Sequence, residues 1–207
     1  LSKIISDNAG NYVVGVDEAG RGALAGPVVA AAVVFSKEQD ISAFRDSKKL
    51  SHTQREKIFK KIMNDSFSVG IGVVHHGVID RINILQATFV AMQKAVEKTG
   101  VPSRVILIDG DKTIPGYEQF QKAIIKGDDK VPLISAASIV AKVIRDRIMC
   151  GYSKVYSDYG FEQHKGYGTK FHYTCISNSG LSLIHRKSFN TSKQLILFCS
   201  SLVMFCQ

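Results

Sequence analysis

Four carboxylates stand at or just after short apolar runs: Asp17 and Glu18 at the end of the run 12–17, Asp109 at the end of 105–109, and Asp128 shortly after 123–125. If these runs are strands of one sheet, their ends can converge. Carboxylates gathered in that way repel one another, and a bound divalent cation is the usual relief. Hard oxygen donors favour Mg²⁺ or Mn²⁺ over Zn²⁺. Two such ions ~4 Å apart suit phosphodiester hydrolysis, one activating water and the other stabilising the leaving oxygen. A single acid at a strand end is better explained as the start of a solvated turn, so the residues around each acid must decide.

Around the first pair the sequence is Val16-Asp17-Glu18-Ala19-Gly20-Arg21-Gly22, two acids followed directly by a Gly-Arg-Gly loop. Glycines there let backbone amides approach a ligand beside the acids. Gly15 and Gly20 have the spacing that opens a Walker A loop, but Arg21-Gly22 stands where Lys-Ser/Thr is required. A dinucleotide fingerprint fails too, because its third glycine, Gly26, comes one position late. Lys48 and Lys49 precede a helix whose amides also favour anions, which makes them candidate phosphate ligands. His75, His76 and His164 lack the i, i+4 spacing of a helical metal pair and are assigned to surface or packing.

The elements that must position these residues follow from periodicity. Runs 12–17, 28–35, 67–74, 105–109 and 123–125 are expected strands. Ser51 and Gln54 have capping-box spacing before Ile58, Phe59, Ile62 and Met63, one apolar helical face. Leu85, Phe89, Met92 and Val96 define a second helix over 83–98, ended by Gly100 and Pro102. A third covers 138–149, with Ser135 and Ser138 as expected caps and Asp146 as a surface ion-pair partner. This order implies an α/β domain around a mixed central sheet. Beyond Gly151 the pattern turns aromatic, basic and glycine-containing, as a substrate-facing region would.

The chain carries 27 Lys and Arg against 18 Asp and Glu in 207 residues, a net charge of +9, which favours a polyanionic partner. Glu162 is the last acid, and the 45 residues after it hold five Lys/Arg and three His, among them Lys165 and Lys170, so that end is a candidate phosphate-facing surface. Cys150, Cys175, Cys199 and Cys206 show neither zinc spacing nor a disulfide framework. A reduced, cytoplasmic setting is expected, with no membrane span. One catalytic domain is expected over 1–190, including the C-terminal substrate-binding region, and 191–207 is an apolar tail without assigned role.

Taken together, the Asp17 to Gly22 segment, Asp46-Ser47-Lys48-Lys49-Leu50, Asn83 to Thr88, Ile108-Asp109-Gly110, Lys126-Gly127-Asp128, Ser135 to Val143, Tyr159-Gly160-Phe161, His164 to Thr169 and His185 to Phe189 resemble the ribonuclease HII family, the type 2 ribonucleases H. The resemblance runs from about residue 13 to 190. It implies a ribonuclease H-like fold, a mixed sheet flanked by helices with a small C-terminal helical region. It also implies hydrolysis with two Mg²⁺ or Mn²⁺ ions held by Asp17, Glu18, Asp109 and Asp128. The implied substrates are RNA–DNA hybrids and single ribonucleotides in duplex DNA, cut on the 5′ side of the ribonucleotide to leave 3′-hydroxyl and 5′-phosphate ends. Gly20, Arg21 and Gly22 correspond to a loop that contacts the ribose 2′-hydroxyl, and Tyr167 to a tyrosine that packs on the sugar beside the cut. The implied setting is DNA replication and repair, and a monomer is expected. Two departures stand out: Lys187 where the family usually has Arg, which loses bidentate phosphate geometry, and the apolar, Cys-bearing stretch 195–207. The related ribonuclease HIII carries an N-terminal substrate-binding extension, whereas about a dozen residues precede the first expected strand here.

Overall fold

Nearly continuous runs of valine and small residues make Tyr12–Ala19 (β1) and Val28–Val34 (β2) the centre of the sheet, and β2 is buried along its whole length. The computed structural model describes residues 12–36, 41, 44, 51–117 and 119–189. Lys48, Lys49 and the 191–207 tail lie outside the described residues. Ser68–Val74 (β3), Ser103–Asp109 (β4) and Phe120–Ile124 (β5) complete five strands in the order β3-β2-β1-β4-β5. β1 pairs antiparallel with β2 and parallel with β4, β2 pairs antiparallel with β3, and β4 pairs parallel with β5. The sheet is therefore mixed, as expected.

Pleating sends alternate side chains to opposite faces, and each face has its own core. Ala31, Val33, Val105 and Leu107 pack under helices His52–Asp65 (α1) and Pro132–Ser153 (α4). Val14, Val16, Ala30, Ala32, Ile106 and Ile108 pack under His76–Thr99 (α2). α2 lies so close to β3 that a Cβ at Gly72 would sit 1.9 Å from the Ala91 carbonyl oxygen. Only glycine permits that approach. A third cluster, Ala25, Met149, Tyr159, Phe161, Cys175 and Ile184, ties the loop after β1 to the C-terminal region. The short helix Gly127–Lys130 (α3) leads into α4, and the C-terminal region holds Phe161–His164 (α5) and Lys170–Ser179 (α6).

Several expected boundaries shift for physical reasons. α1 has the full capping box, with Ser51 Oγ accepting from the Gln54 amide at 3.3 Å and Gln54 Oε1 accepting from the Ser51 amide at 2.9 Å. α2 begins at His76 and breaks at Asn83 (φ 63°, ψ 166°), whose side chain accepts from the Gln86 amide at 3.1 Å. Asn83 thus caps the segment expected from 83, and about two further turns precede it. α4 starts at Pro132, at its first turn, so Ser135 and Ser138 are interior residues and not caps. β5 spans 120–124 instead of 123–125; its edge position leaves Phe120 exposed and its apolar pattern weak. Among the described residues no helix is long and apolar enough to cross a membrane.

Candidate active site

β1 does not end before its acids; Asp17 and Glu18 are its sixth and seventh residues, paired with Ala31 and Ala30 of β2. The pleat therefore turns the two acids to opposite faces. Asp17, 5% exposed, meets α4, where the Ser138 hydroxyl donates to it; its Oδ1 also accepts from the Glu18 amide at 2.7 Å. Glu18 reaches a narrow crevice shared with Leu85, Thr88, Phe89 and Met92 of α2. Asp109 ends the neighbouring parallel strand, and its Oδ1 accepts from the Gly127 amide at 2.6 Å and the Asp128 amide at 3.4 Å. Asp128 is buried on α3, next to Asp109 through that backbone contact.

Burial, then the charges of Glu18 and Asp109, hold the Asp17 carboxyl well above the usual carboxylate range. Burial likewise raises Glu18, with Asp109 adding to it and Arg21 opposing. Arg21 Nη1 lies 3.3 Å from Glu18 Oε1 with half of its side chain in solvent. Among the described residues no three acidic, histidine or cysteine side chains are already gathered as a ready ligand set. The donor chemistry nevertheless fits a hard divalent cation: oxygen ligands only, on side chains that burial and mutual repulsion leave short of positive charge.

Beside the acids lies a cleft of about 460 Å³ lined by Glu18, Gly20, Arg21, Gly22, Arg55, Ser138, Lys142 and Tyr167, among others. Sequence reasoning placed Gly20, Arg21, Gly22 and Tyr167 in the site but missed Arg55 and Lys142. A signal for Lys142 exists: Ser138, Lys142 and Arg145 form a polar stripe at helical spacing on a largely apolar helix. Tyr167 is half-buried and not freely accessible, its ring 5.7 Å from the Lys142 amine and 5.1 Å from the Arg145 guanidinium. Lys165 is not turned to the cleft; its amine donates to the Glu162 carbonyl oxygen. Asp146 pairs with Lys142 at 2.7 Å but is largely buried.

Behind Tyr167 the loop 164–167 rests on three buried histidines. His164 stacks on His172 with centroids 4.2 Å apart, and His172 Nε2 lies 3.0 Å from His185 Nε2. His172 Nδ1 meets the Tyr167 carbonyl oxygen at 3.0 Å, and His185 Nδ1 accepts from the Ser182 amide at 2.9 Å. A carbonyl only accepts, so His172 carries its proton on Nδ1 and His185 donates from Nε2 to the bare His172 Nε2. Burial pushes both imidazoles down to about 4.

The chain matches the family model for ribonuclease HII over residues 14–192. It is 51% identical over 178 residues to a ribonuclease HII of Clostridioides difficile, covering 86% of this chain and 69% of that protein. With a Geobacter metallireducens ribonuclease HII the identity is 50% over 194 residues, 94% of this chain and 91% of the other. The ribonuclease H2 structure from Pyrococcus horikoshii superposes with a TM-score of 0.73 at 27% identity, over 91% of this chain and 99% of that one.

Proposed function

We propose, from the premise that the chain belongs to the ribonuclease HII family and is a ribonuclease H endonuclease, that it cuts the RNA strand of RNA–DNA hybrids and single ribonucleotides embedded in duplex DNA. The cut falls on the 5′ side of the ribonucleotide and leaves 3′-hydroxyl and 5′-phosphate ends. The observation that carries this reading is the placement of Asp17, Glu18 and Asp109 toward the ends of two adjacent parallel strands, beside a cleft lined by Arg21, Arg55, Lys142 and Tyr167. Asp17, Glu18, Asp109 and Asp128 hold the cations, Mg²⁺ or Mn²⁺. A pair of these ions supplies charge neutralisation at the scissile phosphate and a water nucleophile at neutral pH.

The chain's own residues do the rest. The Gly127 amide and the Ser138 hydroxyl orient the carboxylates of Asp109 and Asp17. Arg21 and Lys142 draw the phosphate backbone into the cleft, and Gly20 to Gly22 meet the ribose while Tyr167 packs on the adjoining sugar. Lys48 and Lys49 hold flanking phosphates in this reading. The catalytic unit is 1–190, working as a cytoplasmic monomer in DNA replication and repair.

The test is a duplex with one ribonucleotide in otherwise DNA strands, incubated with Mg²⁺ or Mn²⁺ and then with chelator, and the cut mapped. Wild type cuts once, 5′ of the ribonucleotide, and chelator stops it. Asp17→Asn and Asp109→Asn lower the rate at least about a thousandfold, of the order seen when electrostatic machinery is removed, and still bind the duplex. Retained cleavage in both variants, or a folded wild type inert with either metal, refutes the reading.

A further inference from the structure

No step of the reaction uses the two arginines buried beneath the Gly20–Gly22 loop. Arg145 and Arg186 are both 0% exposed, and their six guanidinium bonds all end on main-chain carbonyl oxygens. Arg186 donates to Gly20 at 2.7 Å, Arg21 at 2.9 Å and Gly26 at 3.0 Å. Arg145 donates to Pro27 at 3.0 Å, Ala25 at 3.1 Å and Lys165 at 2.9 Å. Burying two like charges side by side is costly, and neutral packing would hold the loop more cheaply. What guanidinium forks supply that apolar side chains do not is direction.

That direction has a consequence at the cleft. In a trans peptide the C=O and the following N–H point opposite ways. With the Gly20 and Arg21 carbonyls drawn inward by Arg186, the amides of Arg21 and Gly22 face away from it, on residues that line the cleft. Arg145 then sets the spacing to the second wall, because the Lys165 carbonyl that it holds is two residues from Tyr167. Gly20 has φ +96°, and a Cβ there would lie 2.0 Å from Arg145 Nε, so loop and guanidinium fit only with glycine present.

We propose that Arg145 and Arg186 are positioning residues for ribose recognition, fixing the backbone amides of Arg21 and Gly22 and the distance from that loop to Tyr167. The proposal rests on the ribonucleotide-cutting function of the cleft. The experiment compares wild type, Arg186→Lys and Arg186→Ala on two duplexes that differ by a single ribose or deoxyribose. Binding is measured with Ca²⁺, cleavage with Mg²⁺, and Mn²⁺ affinity of each protein by titration. Arg186→Ala loses tenfold or more of kcat/KM at the single ribonucleotide, and its ratio of deoxy to ribo Kd falls toward one. Its Kd for all-DNA duplex and its Mn²⁺ affinity stay within about twofold of wild type, since the acids and the basic surface are untouched. Arg186→Lys lies between, because an ammonium lacks the fork, and millimolar methylguanidinium restores part of the Arg186→Ala loss. A merely structural arginine would instead lower melting temperature and active fraction with the ribo-to-deoxy ratio unchanged, and that result overturns the proposal. If neither variant folds, hydrogen exchange of wild type decides: Leu24 and Gly26 amides exchange as slowly as those of β1, and fast exchange there overturns it. A wild type that cannot tell ribose from deoxyribose refutes the ribonuclease reading itself, whereas a discriminating wild type with an unaltered Arg186→Ala refutes the positioning role alone.

Discussion

Lowering the pH from 7 to 5 should cost the protein about 2 kcal/mol of folding stability through His172 and His185. Each imidazole stands at about 4 in the folded chain against 6.5 for the free group, because burial disfavours its charged form. The unfolded chain therefore binds more protons between these values. Stability is complete above 6.5, falls as the pH drops through that window and levels below about 4. At pH 5 the linkage amounts to ~2 kcal/mol for each ring. The pair is discounted by half for solvent screening and for the single bond the two rings share. Asp17 and Glu18 act with the opposite sign, since their raised pKa values make the folded state take up protons as the pH falls. The measurement accordingly uses the Asp17→Asn, Glu18→Gln double variant in urea titrations at pH 7, 6 and 5, with side-chain ¹⁵N spectra of the histidines alongside. The spectra should show His172 protonated on Nδ1 and His185 on Nε2. Stability flat to within about 0.5 kcal/mol, set against the precision of urea extrapolation, or an imidazolium of either ring with its midpoint at pH 6 or above, refutes the tautomer chain.

Tyr167→Ala should reduce cutting at a single ribonucleotide at least tenfold, about 1.4 kcal/mol or more in the barrier, and cost less stability than the ~3 kcal/mol of a fully buried aromatic, because the ring is only half-buried. Tyr167→Phe should keep most activity if the ring is what packs on the sugar; a variant that melts early yet cuts normally returns Tyr167 to a structural part. Gly72→Ala should lose about 3 kcal/mol in urea unfolding, the upper end for overpacking, because the added methyl meets backbone of α2 that cannot rotate away. An unchanged midpoint there would mean that α2 is not seated on β3 as described.

The strands and the paired acids were legible because each rests on a local pattern. Val13 to Val16 alternate between two apolar cores, and Asp17 and Glu18 replace apolar residues on the two faces just past the last β1–β4 pair. The boundaries were less legible wherever tertiary contact overrides propensity. Ser135 and Ser138 have the chemistry of caps, yet α4 extends past both because Pro132 starts it earlier and their small side chains fit against the sheet. The helix from Asn83 was legible from its apolar face, while the stretch before it was not, since Asp80 there is held by the Lys187 and Ser188 amides more than a hundred residues away. Arg145 and Arg186 were illegible as a pair: an arginine in sequence suggests phosphate or carboxylate, and carbonyls of a loop more than a hundred residues away leave no local trace.

The loop from Gly20 to Pro27 is threaded between two late segments, its Leu24 amide on the Gly166 carbonyl at 2.8 Å and its Gly26 amide on Ile184 at 2.9 Å, with Arg186 bonding back across 160 to 166 residues. During synthesis the sheet and its carboxylates emerge from the ribosome long before those partners do. A nascent chain that has reached only residue 160 already holds the acids and Arg145, the partner of the Ala25 and Pro27 carbonyls, but lacks Arg186 and the Gly166 and Ile184 carbonyls that complete the bracing of the loop. If the loop meets the ribose as proposed, its full bracing, and with it recognition of the substrate, waits for the final stretch of translation. A nuclease completed last is one that meets nucleic acid only after the rest of its fold is in place.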